Sequence, residues 1–485
     1  MTTIKADACV IGSGAGGGPI ARELAEGGMS VVVLEEGRRF ELDELNARPR
    51  EMMPLLYRDA GQTVTEGNVP IVLPLGKAVG GTTLVNSGTC FRTPDRVLER
   101  WGAEHGLEAL APDRMRPHFE HVERETGVAR VPAELAGRNA QVVKRGADAL
   151  GWSGDYLERN ARGCVGSGVC AFGCPTGAKQ HAGQVWIDAA EKAGARTVTG
   201  ARARKIETRK GRARAVHARC EDGSTLEVRA DTTVVACGAV HTPMLLRRNR
   251  LGAGSGELGH NLAIHPCSAV RAVFDEDVGM SDGVPQSYYV DEFASEGIML
   301  EGAAGPPDYM AAGLPFSGDR LRELMLRFGQ MSQFGVMISD RSRGEVREVA
   351  GRPRIRYRLN DDDVARMRRG VEKLTELYWA AGARTVLQPV AGVSPLHDGD
   401  LGPLAQARPL EARDLTLMAF HPLGTARADR DPASGVVDDD LKLHGLDGLY
   451  VSDASVIPSS LGVNPQITIM ALAHRLGRHL LGRPV

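Results

Sequence analysis

Ala6-Asp-Ala-Cys-Val-Ile11, then Gly12-Ser-Gly14-Ala-Gly-Gly17-Gly, then Pro19 to Glu26, then Ser30-Val-Val-Val-Leu-Glu35: this opening stretch decides the fold. The apolar run at 6–11 predicts a short buried strand, the glycines a tight turn, 19–26 a helix and 30–35 a second strand. Strand, turn, helix and strand within about thirty residues make a βαβ unit. The apolar runs are continuous rather than alternating, as parallel strands covered on both faces require. In Gly12-x-Gly14-x-x-Gly17 the first glycine permits the turn, the second lets backbone approach a pyrophosphate, and the third lets helix pack on strand. The helix N-terminus suits a phosphate, and Glu35, eighteen residues after Gly17, is placed to bind ribose hydroxyls. The pattern predicts a bound dinucleotide and leaves FAD and NAD both open.

Composition narrows the class. The 485 residues are about three times a ~150-residue domain, so two domains or one domain with a large insertion are expected. With 42% hydrophobic and 25% charged residues the chain is not a disordered one. Lys+Arg 59 against Asp+Glu 61 leaves a net charge of -2, so no basic field points to nucleic acid or an anionic membrane. No apolar run reaches the ~18 residues of a membrane span. The segment Met1–Asp7 lacks the basic head and apolar stretch of a secretory leader, so a cytoplasmic location is expected.

Further along, Gly76-Lys-Ala-Val-Gly80-Gly81-Thr-Thr-Leu-Val-Asn86 is a second glycine-rich segment, and residues 110–155 read as helical. From Arg204 to Asp231 short strands are split by Lys210-Gly211 and Asp222-Gly223, a meander with turn chemistry at its breaks. Thr232 to Gly238 reads as another buried strand ending in glycine. Between about 267 and 400 the glycine motifs stop. A hairpin over Val346–Leu359 precedes a helix capped by Asn360 or Asp361, with Val364, Met367, Val371, Leu374 and Leu377 on one face and Gly382 at its end. Leu449-Tyr-Val-Ser-Asp453 restores a buried strand. The expected fold class is therefore α/β, and α+β over the whole chain. A Rossmann-like domain at 1–266 would resume at 401–485, with a substrate domain of antiparallel sheet and helices inserted at 267–400.

Five ordered segments carry a resemblance. Gly12–Gly17 with Glu35, Gly76–Asn86, Cys237-Gly-Ala-Val-His-Thr-Pro, Gly259-His-Asn-Leu-Ala-Ile-His265-Pro, and His421-Pro-Leu-Gly-Thr with Ser452-Asp453…Asn464-Pro resemble the glucose-methanol-choline (GMC) oxidoreductases. The resemblance implies an FAD enzyme that oxidises an alcohol to an aldehyde or ketone, passing electrons to oxygen or an external carrier. It implies that Gly80, Gly81 and Asn86 line the flavin and that Asp453 lies near its pyrophosphate or ribityl chain. Val85 stands near where some relatives carry a flavin-linking histidine, so the FAD is expected to be non-covalent. His421 and Asn464 are implied as the catalytic pair. A neutral histidine can take the hydroxyl proton near pH 7, and an amide can hydrogen-bond the substrate oxygen as charge develops. His265, His444, His474, His479 and Cys90 are read as structural.

Cys164-x5-Cys170-x3-Cys174-Pro lies on a glycine-rich loop. Its spacing resembles the three-cysteine [3Fe–4S] loop of bacterial iron–sulfur FAD glucose dehydrogenases, so Cys164, Cys170 and Cys174 are candidate cluster ligands, with free thiols or a disulfide as the alternatives. Asp275, Glu276, Asp277, Asp282, Asp291, Glu292 and Glu296 crowd the middle region and favour a polar substrate of sugar or aminosugar type, cationic alcohols included. A long-chain alcohol or sterol is the alternative substrate. A hydroxynitrile lyase-like FAD enzyme and a plain NAD-binding protein are the alternative functions.

Overall fold

The computed structural model describes residues 2–397, 399–401 and 410–484. At its centre lies a parallel five-stranded sheet in the spatial order Leu449–Val451, Thr232–Val235, Ala8–Ile11, Val31–Leu34 and Arg196–Val198. All four residues of both Ala8–Ile11 and Val31–Leu34 are buried, which is what their unbroken apolar sequence requires. The helix Gly17–Glu26 follows the glycine turn and buries Ile20, Ala21 and Leu24 completely. It packs against the C-terminal helix Gln466–Leu480, where a Cβ on Gly477 would stand 2.7 Å from the Cβ of Glu23. The two ends of the chain thus share one core.

The predicted meander is present as Ala201–Arg209, Arg212–Cys220 and Thr225–Arg229, antiparallel to one another. A fourth strand, Thr2–Lys5, joins this sheet in parallel beside Thr225–Arg229. The predicted first strand therefore begins two residues late. Ala6 and Asp7 form a break between two sheets, where the Asp7 carboxylate accepts from the Ser30 amide and hydroxyl, both at 2.7 Å.

A nine-stranded sheet roofs the second half of the molecule, and its seven-strand path includes Cys267–Val273, Met331–Ile338 and Ile298–Gly302 as adjacent antiparallel strands. It also takes in Ile71–Val72, Gly154–Tyr156 and Leu417–Met418, which lie outside 267–400 in sequence. The expected junction at 400/401 adjoins residues 402–409, which lie outside the described residues. The helix Asp361–Ala380 begins at the cap Asn360, whose side chain accepts from the Asp363 amide at 2.7 Å. Its buried Val364, Met367, Val371, Leu374 and Leu377 form the face read from the sequence. Along Cys267–Val273 the period-two alternation divides the side chains: Val270 and Ala272 are fully buried in the core shared with this helix, while Cys267, Ala269 and Arg271 line a cavity.

Helix and sheet meet most closely at Gly370, where an added Cβ would lie 2.3 Å from Cγ1 of Val336. Gly370→Ala should therefore push the helix off the roof and lower stability by about 1–3 kcal/mol, the usual cost of overpacking. The shift in urea midpoint at unchanged slope measures it; no shift would mean that the contact relaxes freely.

Candidate functional site

A cavity of about 840 Å³ runs from the glycine turn at Gly12–Gly16 to the exposed face of the nine-stranded roof. At the turn, three glycines are required by the chain itself. A Cβ would stand 2.3 Å from the Ala236 carbonyl oxygen at Gly12 (φ +107°), 1.6 Å from the Ser452 carbonyl oxygen at Gly16, and 1.8 Å from the Gly12 carbonyl oxygen at Gly17. Gly14 differs: its nearest neighbour would be the Gly81 Cα at 3.7 Å, an ordinary contact, and it borders the cavity. Nothing in the protein forbids a side chain at Gly14, so the bare backbone there is free to face a ligand. That is the position where a dinucleotide pyrophosphate would approach. The residues present fit FAD.

Ser13 ties the cradle together. The Glu35 carboxylate accepts from the Ser13 amide at 3.0 Å and hydroxyl at 2.6 Å and from the Gly37 amide at 2.7 Å. The Ser13 hydroxyl oxygen in turn accepts from the Gly80 amide at 3.0 Å. Burial raises the Glu35 carboxyl above its usual range, against these hydrogen bonds. Asn86 donates to the Gln466 side chain at 2.7 Å and accepts from the Gly88 amide at 3.1 Å, joining the second glycine segment to the C-terminal helix. Asp453 borders the cavity, but its carboxylate is already engaged by the Gly238 amide (2.9 Å), the Thr242 hydroxyl (2.5 Å) and the Ser455 amide (2.8 Å). Its side chain fixes the start of the helix Gly238–Arg248 beside the cleft.

Two buried cations that sequence reading passed over hold the 84–87 wall. Lys179 donates to the carbonyls of Leu84 (2.8 Å), Asn86 (2.6 Å) and Cys170 (2.7 Å), and Arg159 donates to the Ser87 carbonyl. Burial draws the Lys179 amine down to about 8. A lysine and an arginine in a polar run carry no sequence signal of this role.

His421 and Asn464 meet in the cavity, with Nε2 of the ring 3.4 Å from Nδ2 of the amide. Burial, with His265 adding to it, holds His421 neutral well below the ordinary histidine range. His265, read from sequence as structural, stands directly behind it at 3.3 Å between the two Nδ1 atoms. The Nε2 of His265 accepts the amides of Leu461 (3.0 Å) and Gly462 (3.1 Å), so its own proton is on Nδ1. Asn464 also reaches Glu301 on the roof at 3.4 Å, and burial lifts that carboxyl to about 7. The Asn464 Oδ1 is buried without a partner.

The three loop cysteines are free thiols. Cys170 Sγ accepts from the Arg159 guanidinium at 3.1 Å, Cys174 Sγ meets Thr176 at 3.4 Å, and Cys164 packs against the apolar core of the roof. Two of the sulfurs have local partners, and the three do not converge on a common ion, so this arrangement gives the cluster expectation no support. Among the described residues the group that does converge is Glu23, His121 and His474, but the two rings stack at 3.8 Å and 4°, so their in-plane lone pairs do not aim at one ion. Asp275, Glu276, Asp277, Asp282, Asp291, Glu292 and Glu296 all lie outside the cavity. Asp275, Glu276, Asp277 and Glu296 pair with Arg384, Arg145, Arg138 and Arg369, while Asp291 and Glu292 bond Ser153. Being solvated and paired, they give no support to a cationic substrate.

A family model described as GMC oxidoreductase matches residues 53–267 with its N-terminal part and 340–473 with its C-terminal part. An uncharacterized GMC-type oxidoreductase of Mycobacterium tuberculosis is 44% identical over 97% of this chain and 75% of its own length. A long-chain-alcohol oxidase of Arabidopsis thaliana is 27% identical over 99% of this chain and 69% of its own. The crystal structure of a pyridoxine 4-oxidase from Mesorbium loti superposes with a TM-score of 0.75 at 19% identity, covering 99% of this chain and all of that one, and so shares the fold.

The glycine geometry separates ligand binding from folding. Gly14→Ala should fold with a Tm close to that of the parent and lose most of its FAD on gel filtration. Gly17→Ala should lose the fold itself, because its Cβ meets backbone. Measuring Tm and flavin per chain for both checks this; a Gly14→Ala protein that keeps its full flavin content would refute the assignment.

Proposed function

Because the chain belongs to the GMC oxidoreductase family, we propose that it oxidises the hydroxyl of an amphiphilic alcohol, with FAD held in the glycine-lined cleft and His421 as the base. The observation that carries this reading is that His421 and Asn464, with Nε2 3.4 Å from Nδ2, border the same cavity as the dinucleotide cradle. FAD bound there supplies the acceptor for the hydride that leaves the carbinol carbon.

The chain's own residues supply the rest. A hydroxyl seated between His421 and Asn464 has a proton acceptor on one side and an amide on the other, the arrangement needed as negative charge grows on the oxygen. For Nε2 to accept that proton, His421 must carry its own hydrogen on Nδ1. His265 also carries its hydrogen on Nδ1, so the 3.3 Å contact between the rings opposes that tautomer and must lengthen as the base engages. His265 is thus a positioning residue whose donor pushes against the reactive form. Toward the roof the walls are mainly apolar, with Met53, Tyr309, Met310, Phe316, Leu387 and Phe420. Such walls suit a hydrocarbon body rather than a sugar ring, in keeping with the alcohol named for the Arabidopsis relative. No electron needs to pass through the cysteine loop, and protein purified without oxygen is expected to contain no stoichiometric iron or labile sulfide.

His421→Ala should retain the flavin spectrum and slow anaerobic flavin reduction by at least ~10²-fold, as removal of a general base does. Asn464→Ala should cost less, because its oxygen adds one oriented hydrogen bond. Stopped-flow bleaching with alcohols measures both; reduction of His421→Ala at the parent rate would move the base elsewhere, and no bleaching by any alcohol would favour lyase chemistry. Because His421 stays neutral well below pH 6.5, its protonation should cut the rate only under more acid conditions. Any step near pH 7 then belongs to Glu301 and should vanish in Glu301→Gln.

A further inference from the structure

Arg271 is a cation that lines the cavity with no anion to answer it. Arg271 lies on the strand Cys267–Val273, on the face that lines the cavity. Across the sheet it stands opposite Gln333 on one side and Leu387 on the other. Its Nε is buried without a partner, and among the described residues no carboxylate forms an ion pair with it. Burial alone pulls the guanidinium down to about 10, against a weak opposing effect of Tyr378. Gly313 keeps the space beside it open, since a Cβ there would stand 2.9 Å from Nη2. A second arginine, Arg320, also lines the cavity and lies 4.4 Å over the ring of Phe316. The carboxylates bordering the cavity are elsewhere: Glu35, Glu36 and Asp453 at the dinucleotide end, and Glu301 beside Asn464.

We propose that Arg271 binds an anionic group (a carboxylate, sulfate or phosphate) carried by the substrate at the end away from its hydroxyl. The proposal rests on the reading of His421 and Asn464 as the oxidation site and adds the substrate class. The roof sets the spacing. Glu301, which bonds Asn464, lies opposite Gly335, and Gly335 opposite Ala269, so small residues leave a channel across two strands. Arg271 is two residues beyond Ala269, about 7 Å along the strand. The reacting carbon and the anion are then on the order of 10 Å apart, given the ~4.8 Å spacing between strands. Apolar walls between a hydroxyl-binding pair and an unpaired arginine describe a pocket for an ω-hydroxylated amphiphile. The charge-assisted bond would form in a dry setting, where it discriminates most strongly.

The test uses the FAD-loaded protein. Octanoate, octyl sulfate and octyl phosphate are titrated against octanamide, following the flavin spectrum and calorimetric heat. The anaerobic kcat/KM for ω-hydroxyoctanoate is compared with that for octanol. At least one anion should bind about tenfold or more tighter than octanamide, and the hydroxyacid-to-alcohol ratio should fall by about tenfold or more in Arg271→Gln, with Arg271→Lys retaining part of both. The Tm of ligand-free Arg271→Met should not fall, because an unpaired buried charge is replaced by an apolar chain. Equal binding of anions and amide, or an unchanged ratio in Arg271→Gln, overturns the subsite while leaving alcohol oxidation standing. Anion binding that depends on Arg271 in a protein whose flavin no alcohol reduces would instead retire the oxidation chemistry and keep the subsite.

Discussion

The contact on which the rest of the structure depends is a backbone one. Gly16, in the turn after the first strand of the parallel sheet, lies so close to Ser452 that a Cβ would fall 1.6 Å from the Ser452 carbonyl oxygen. The Ser452 hydroxyl donates back to the Gly16 carbonyl at 3.1 Å. That contact brings the N-terminal cradle and the C-terminal segment to one place, and everything that lines the cleft is positioned from it. Asp453 follows immediately and fixes the helix Gly238–Arg248, and Asn464 follows within the same return segment. The glycine cradle and the His421–Asn464 pair come from distant parts of the chain, yet share a wall because two peptide units touch.

Above that wall the chemistry is set by desolvation. His421 and His265 stay neutral because burial disfavours their charged forms, Glu301 is lifted toward neutrality by the same effect, and Lys179 loses part of its proton affinity. His421 and Glu301, which line the cavity, can therefore exchange protons without carrying fixed charge. Arg271 differs from these groups, since burial lowers a guanidinium without bringing it near neutral pH. The polarity of the pocket is thus asymmetric, neutral around His421 and Asn464 and cationic around Arg271.

Much of this was legible in the residues. The βαβ unit followed from continuous apolar runs around Gly12–Gly17, and the Asn360 cap with its apolar face followed from helical periodicity, because both signals are local. His421 and Asn464 were legible as a pair through family resemblance, although 43 residues separate them. The nine-stranded roof was less legible, because strands such as Ile71–Val72 and Leu417–Met418 are two residues long and leave no period to read. His265 and Lys179 were missed because a residue's partners through space do not appear in its neighbours along the chain. The acidic run at 275–296 could not be placed for the complementary reason: charge density in sequence says nothing about which face of the sheet a side chain occupies. The cysteine spacing likewise marked a tight loop without showing where the sulfurs point.

The order of strands in the parallel sheet has a consequence for how the molecule is made. Residues 8–11 are flanked by 31–34 on one side and by 232–235 on the other, and 232–235 is covered in turn by 449–451. During synthesis residues 31–34 can pair with 8–11 at once, but 232–235 must wait for some two hundred residues and 449–451 for as many again. Until then an apolar strand edge stays open, the kind of edge that recruits foreign strands. High sequence separation of contacts also slows the final closure. The dinucleotide cleft is therefore among the last features to form, and a nascent chain stalled before residue 449 would hold a half-built sheet with no Ser452 against Gly16. A cofactor that waits for this closure reports on the completeness of the chain as well as on its fold.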